Sequence, residues 1–184
     1  MKKQLRSFGH AFAGIGNALR TEAHLRFHLA AALLVLTAAA ICGFSPERLA
    51  VLWVLSGLVI ALELVNTAIE HACDAVTRDC NAHIKLAKDM AAGAVLAASI
   101  AAVAVAALFF LNGEAWNAAV QFFCRYPFAA IPLGALALLC LLFVLFGGGK
   151  KRKKNKQSLS EIRFRGRDLP SPFINRRHIH HEPK

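Results

Sequence analysis

The chain has no CxxC pair, no internal repeat and no stretch suited to a large soluble core. Its five cysteines (Cys42, Cys73, Cys80, Cys124, Cys140) are scattered, which argues against a disulfide framework or a zinc site and fits a reducing compartment or plain apolar packing. Gly147-Gly-Gly-Lys150 is not a Walker A loop, because the GxxxxGK[ST] spacing and its Ser/Thr are missing. Gly14-x-Gly16 lacks the third glycine of a dinucleotide fingerprint and any βαβ context. No cleavable signal is expected, since the first apolar run begins after residue 20 without a small-residue cleavage pattern. Acidic residues are also few, 11 against 22 Lys and Arg.

Apolar residues dominate what remains. They make up 57% of the 184 residues, and the mean hydropathy is +0.47, too apolar for an ordinary soluble domain. Four stretches stand out, about 29–42, 49–69, 90–111 and 128–146. The last three reach the roughly 20 residues needed to cross a bilayer. The first is short and extends back through Leu25 and Phe27, with Arg26 and His28 near the interface. The expected fold is therefore an all-α integral membrane helical bundle. Lys2, Lys3, Arg6, Arg20 and Arg26 precede the first span, Arg78, Lys85 and Lys88 fall between the second and third, and the tail is densely basic. The short connections on the other side carry only Arg48 and Arg125. The positive-inside rule then puts both termini in the cytoplasm.

The domains are read as 1–111, a membrane domain; 112–146, an extra loop and a fourth span; and 147–184, a basic, disordered tail. From Lys150 onward the tail holds 12 Lys and Arg and 3 acidic residues, leaving about +9 of the +11 total. A juxtamembrane cluster such as 150–156 attracts anionic lipids at about 1 kcal/mol per residue, so a membrane surface is its expected partner and nucleic acid is not. Residues 4–20 are expected to form an amphipathic surface helix: Leu5, Phe8, Phe12, Ile15 and Leu19 recur at helical spacing among basic residues. Ser45-Pro46-Glu47 marks a tight turn, with Ser45 as N-cap. Gly93 and Ala97 have the small-xxx-small spacing of close helix contact. His24 and His28, His71-x-Cys73 and the tail histidines 178, 180 and 181 are read as interface or solvated residues rather than metal ligands.

Polar residues break the second span. Glu63 and Asn66 lie inside it, and Glu70 and Asp74 follow at its end. At about 100° per residue these four share one narrow helix face. An ionisable group at membrane depth costs roughly 2.5–3.5 kcal/mol by insertion scales, so the stripe is the default functional site. Glu63 and Glu70 are about 10.5 Å apart along the axis. Glu70 sits at the level of a water-borne, metal-bound phosphate and Glu63 at that of a lipid headgroup. Asp74 completes the face and is read as solvated. Phosphoryl transfer needs carboxylates for magnesium, a cation for the phosphates and a group to orient or deprotonate the nucleophile. Glu22, Glu63, Glu70, Lys88 and Asp89 supply that inventory.

Three motifs then carry a resemblance. Glu22-Ala-His-Leu-Arg26-Phe-His28, Ala61-Leu-Glu63-Leu-Val-Asn66-Thr-Ala-Ile-Glu70 and Ala87-Lys88-Asp89-Met90-Ala-Ala-Gly93-Ala-Val, in that order and spacing, resemble the small prokaryotic diacylglycerol and undecaprenol kinases over about residues 5–111. The resemblance implies three membrane helices with an amphipathic surface helix, assembled as homotrimers with shared sites in the bacterial inner membrane. It implies ATP as co-substrate with Mg2+. It matches Glu63 to the catalytic base for the lipid hydroxyl and Glu22 and Glu70 to the magnesium carboxylates. It matches Asn66, Lys88 and Asp89 to active-site and nucleotide-contacting positions. Arg26 matches a basic residue near the cytoplasmic interface and joins Glu22 in the ATP- and substrate-binding set.

This chain departs from the pattern in places. Ala13 stands where a lysine often precedes the surface-helix glycine, Thr21 where some members have Asn, and the fourth span and tail lie outside the common three-helix pattern, with no phosphatase motif in 112–184. The Leu-Arg-Phe-His form of the first motif favours undecaprenol as substrate, with diacylglycerol the alternative. Two other classes compete: a membrane scaffold acting through the basic tail, and an ion carrier. The carrier requires polar residues on several spans, and the fourth offers none.

Overall fold

A computed structural model describes residues 2–76 and 82–148, with the side chains of 2–5 and 76 left undescribed. These residues lie within the first of two units, Met1–Gly149; the basic tail and the expectations placed on it lie outside the described residues.

The described residues are helical, with no strand among them. α1 (Lys2–Thr21) presents Phe8 and Phe12 as exposed apolar side chains, as a helix lying on a bilayer requires. It stops where Thr21 turns its hydroxyl back onto the carbonyls of Asn17 and Ala18. Glu22 then takes extended backbone angles and becomes the N-cap of α2 (Ala23–Ile41). Gly43, at φ +63°, makes the turn into α3 (Pro46–Val76), a conformation that favours glycine. α4 (Ala82–Phe110) returns along α3 in the most extensive helix pairing among the described residues. Among the described residues four helices are long and apolar enough to cross a membrane: α2, α3, α4 and α6 (Ala130–Phe146), the last extended by a 3-10 turn at Pro127–Ala129.

The segment expected to be a loop between the third and fourth spans contains a helix, α5 (Gly113–Arg125). Asn112 starts it by accepting a hydrogen bond from the Glu114 amide at 3.1 Å. At only 13 residues it is too short to span, which is why a reading by span length passes over it. A second expectation also differs: a Cβ at Gly93 would meet nothing within 4 Å, so within one chain the Gly93 and Ala97 face makes no close contact.

The main apolar cluster is at the α2–α3 turn, where Ala39, Phe44, Leu52 and Ala115 are buried together. Phe44 packs against Phe109 and Phe110, and the Arg48 guanidinium lies over the Phe44 and Phe109 rings.

Candidate functional site

The polar stripe of α3 proves to be the C-terminal part of that helix's inner face. Leu52 and Val59 are buried on it, and in the same register further along come Glu63, Asn66 and Thr67, all less than a tenth exposed. The same face thus packs the core at one end and carries carboxylates at the other. Glu70 is half-buried and accepts a 3.2 Å hydrogen bond from Asn66 Nδ2. Asn66 Oδ1 is buried and has no hydrogen-bond partner. An orphaned acceptor beside two carboxylates is costly in a finished core, and it suits a site completed by a ligand.

Thr67 is the residue the motif reading passed over. It is buried next to Asn66, and its position on the 63/66/70 face was the available signal. A threonine among apolar residues is too common to single out by type alone.

The other expected residues occupy different surroundings. Glu22 is half-buried at the N-terminus of α2, and its side chain makes no capping bond there, so its carboxylate faces no competing partner within the cap. The helix dipole favours a negative charge at that end. Lys88, on the first turns of α4, pairs with Asp74 Oδ1 at 2.5 Å and lies within electrostatic reach of Glu70. That pair ties the ends of α3 and α4 together across the 77–81 connection. Asp89 is exposed.

Arg26 differs most from its sequence reading. It is buried, and its guanidinium donates to Leu19 O of α1 at 2.9 Å and to Val144 O of α6 at 3.4 Å. Both carbonyls belong to last turns of helices, where orphan oxygens and the negative dipole end favour a cation. Gly147 and Gly148 cross directly over this arginine; a Cβ on either would come within about 3.0 Å of its side chain. Here Arg26 fastens three helix ends.

A cavity of about 230 Å³ runs between α2, α3 and α4, lined by Phe27, Val35, Leu52, Val59 and Val103 with His28, Ser56 and Ser99 as its polar points. It begins about one helical turn from Glu63 on α3.

Among the described residues no three His, Cys, Asp or Glu side chains converge as a ready-made metal cluster. Magnesium does not require one. It is held by one or two carboxylates together with substrate phosphates and water, and Glu22, Glu70 and the unpartnered Asn66 oxygen are hard oxygen donors of the fitting type.

These features define a class: a multi-pass helical membrane protein whose polar groups gather at one end of its spans. The comparisons narrow it. The sequence profile described as "Prokaryotic diacylglycerol kinase" matches residues 9–110. The chain is 41% identical over 115 residues, 60% of its length and 90% of the relative's, to the undecaprenol kinase of Bacillus subtilis strain 168. It is 44% identical over 100 residues, 54% of its length and 57% of the relative's, to the diacylglycerol kinase of Synechocystis sp.. No solved structure matches. The chain belongs to the prokaryotic diacylglycerol kinase family. It is a lipid kinase, with ATP as its co-substrate. Helices α5 and α6 lie outside the matched segment.

Proposed function

We propose that this protein phosphorylates undecaprenol in the bacterial inner membrane, using Mg-ATP, with both termini in the cytoplasm. The observation that carries the reading is the buried Glu63, set about 10.5 Å deeper along α3 than the half-buried Glu70. A carboxylate at that depth meets the hydroxyl of a lipid anchored by its tail, and one nearer the helix end meets phosphates arriving from water. The undecaprenol preference rests on the Leu25-Arg26-Phe27-His28 form of the first motif and on similarity to the B. subtilis undecaprenol kinase. The Synechocystis relative supports diacylglycerol as the alternative.

In this mechanism Glu63 orients the lipid hydroxyl and takes its proton as the oxygen attacks the γ-phosphorus. The bond from that phosphorus to the β–γ bridging oxygen breaks, and ADP leaves with the electron pair. Glu22 and Glu70 would hold magnesium, which supplies charge neutralisation at the phosphates. Asn66 holds Glu70 through its amide and offers its free oxygen to the site. Lys88, released from Asp74 or shared with it, balances phosphate charge, and Asp89 flanks the nucleotide. A homotrimer is part of the proposal, in keeping with the bare Gly93 face and exposed Leu96, Ile100 and Val103 of α4.

The test is phosphate transfer from labelled ATP in mixed micelles offering undecaprenol and diacylglycerol in parallel. Faster turnover of undecaprenol, abolished by Glu63→Gln, is expected. A diacylglycerol preference would overturn the substrate choice, and retained turnover in the variant would overturn the role of Glu63.

A further inference from the structure

We infer that α5 is a second membrane-surface helix, lying in the headgroup region of the leaflet at the α2–α3 turn end, opposite the kinase site. The inference does not rest on the kinase reading. Two residues separate α5 from α4, and Tyr126 alone separates it from the turn that opens the last spanning segment. A helix tethered this closely between two spans is held at the membrane boundary and has no chain length to leave it.

Its surface divides three ways, as that position demands. Ala115 is buried against Ala39, Phe44 and Leu52, with Phe122 half-buried on the same side. Phe123, Trp116 and Val120 fall within about 60° of one another at helical spacing, and all three are exposed, Trp116 by 71%. Glu114, Gln121 and Arg125 form a separate polar arc, and all are exposed. One face meets protein, the next is apolar and bare, and the third is polar. A helix in water has no use for the second face, and a helix deep in lipid has none for the third. An interfacial helix uses both. The aromatic composition agrees, since Trp116 and Tyr126 are residue types that favour the headgroup level. The Arg125 guanidinium rests over the Tyr126 ring, which keeps this cation at the same level.

The partner is thus the lipid of that leaflet. Trp53, the other tryptophan, supplies an internal depth gauge. It is exposed on α3, seven residues beyond Pro46 and so about 10.5 Å deeper along the helix.

The experiment uses the full chain in phosphatidylcholine nanodiscs, as Trp53→Phe to isolate Trp116 and as Trp116→Phe to isolate Trp53. Helicity by circular dichroism confirms that each is folded, and Trp53→Tyr replaces the first variant if it is not. Lipids brominated high on the acyl chain are expected to remove about half or more of the Trp116 emission, consistent with burial of about 5–10 Å at the headgroup boundary. Lipids brominated at the chain end should quench Trp116 less and Trp53 more. The inference is overturned if no brominated lipid quenches Trp116, whether acrylamide reaches it, marking a water-exposed helix, or does not, marking a protein partner. It is equally overturned if Trp116 and Trp53 report the same depth.

Discussion

The two ends of the bundle are held by different forces. At the α2–α3 turn, Ala39, Phe44, Leu52 and Ala115 close an apolar cluster, with Arg48 over the Phe44 and Phe109 rings beside it. At the other end, Arg26 bridges helix termini, Lys88 pairs with Asp74, and Glu63, Asn66 and Thr67 are buried. Among its described residues the first end leaves no buried side-chain polar atom unpaired. The second retains a buried acceptor, Asn66 Oδ1, with nothing to satisfy it. A protein tolerates such a cost where a ligand completes the site, so under the proposed mechanism one end serves stability and the other chemistry.

If that division is right, mutations at the two ends should separate activity from stability. The largest effect falls on Glu63→Gln. Removing a general base typically lowers kcat about 10²–10⁴-fold, while nucleotide binding, measured by ATP analogue titration, should be preserved. Phe44→Ala should do the reverse. Truncating a buried phenylalanine costs about 3–5 kcal/mol, read as a loss of unfolding resistance, with kcat per folded protein unchanged. Equal damage to both quantities in either variant would break the contrast.

Arg26→Lys comes next and tests the polar end from within. A lysine ammonium is a compact point charge and cannot reproduce the arginine fork across two carbonyls. Hydrogen bonds to charged groups are worth about 1.5–3 kcal/mol each, so a stability loss of about 2 kcal/mol is expected, together with loosened packing of α6. The resemblance implies instead a nucleotide-binding role for Arg26. That role predicts a raised KM for ATP with stability intact, and measuring both distinguishes the two.

Most of the fold was readable because spanning helices announce themselves by length and hydropathy. The polar stripe of the candidate site was readable for the converse reason: Glu63 and Asn66 are conspicuous in an apolar run, and both are buried on one face of α3. What stayed hidden depends on tertiary contact. Arg26 reads as one more basic interface residue until Leu19 O and Val144 O are found against its guanidinium. Thr67 reads as filler until its burial beside Asn66 is seen. α5 was missed because its apolar residues serve two faces, one against Phe44 and one exposed, and a reading by span length sees neither.

The smallest expected effect marks where the polar end stops. Asp74 shares the helix face of Glu63 and Glu70, yet its side chain is 68% exposed and its partner Lys88 only a third so. An exposed ion pair contributes little, since water screens it and two flexible side chains must be held still. Asp74→Asn removes the charge and leaves the shape. With Lys88 then free to turn toward phosphate, the KM for ATP should change by less than about threefold, in either direction. Lys88→Ala, by contrast, should raise that KM clearly more, because the lysine is the member of the pair assigned to the nucleotide. Should Asp74→Asn match or exceed Lys88→Ala, Asp74 would belong to the reacting machinery. The boundary of the site would then move one helical turn toward water, past Glu70.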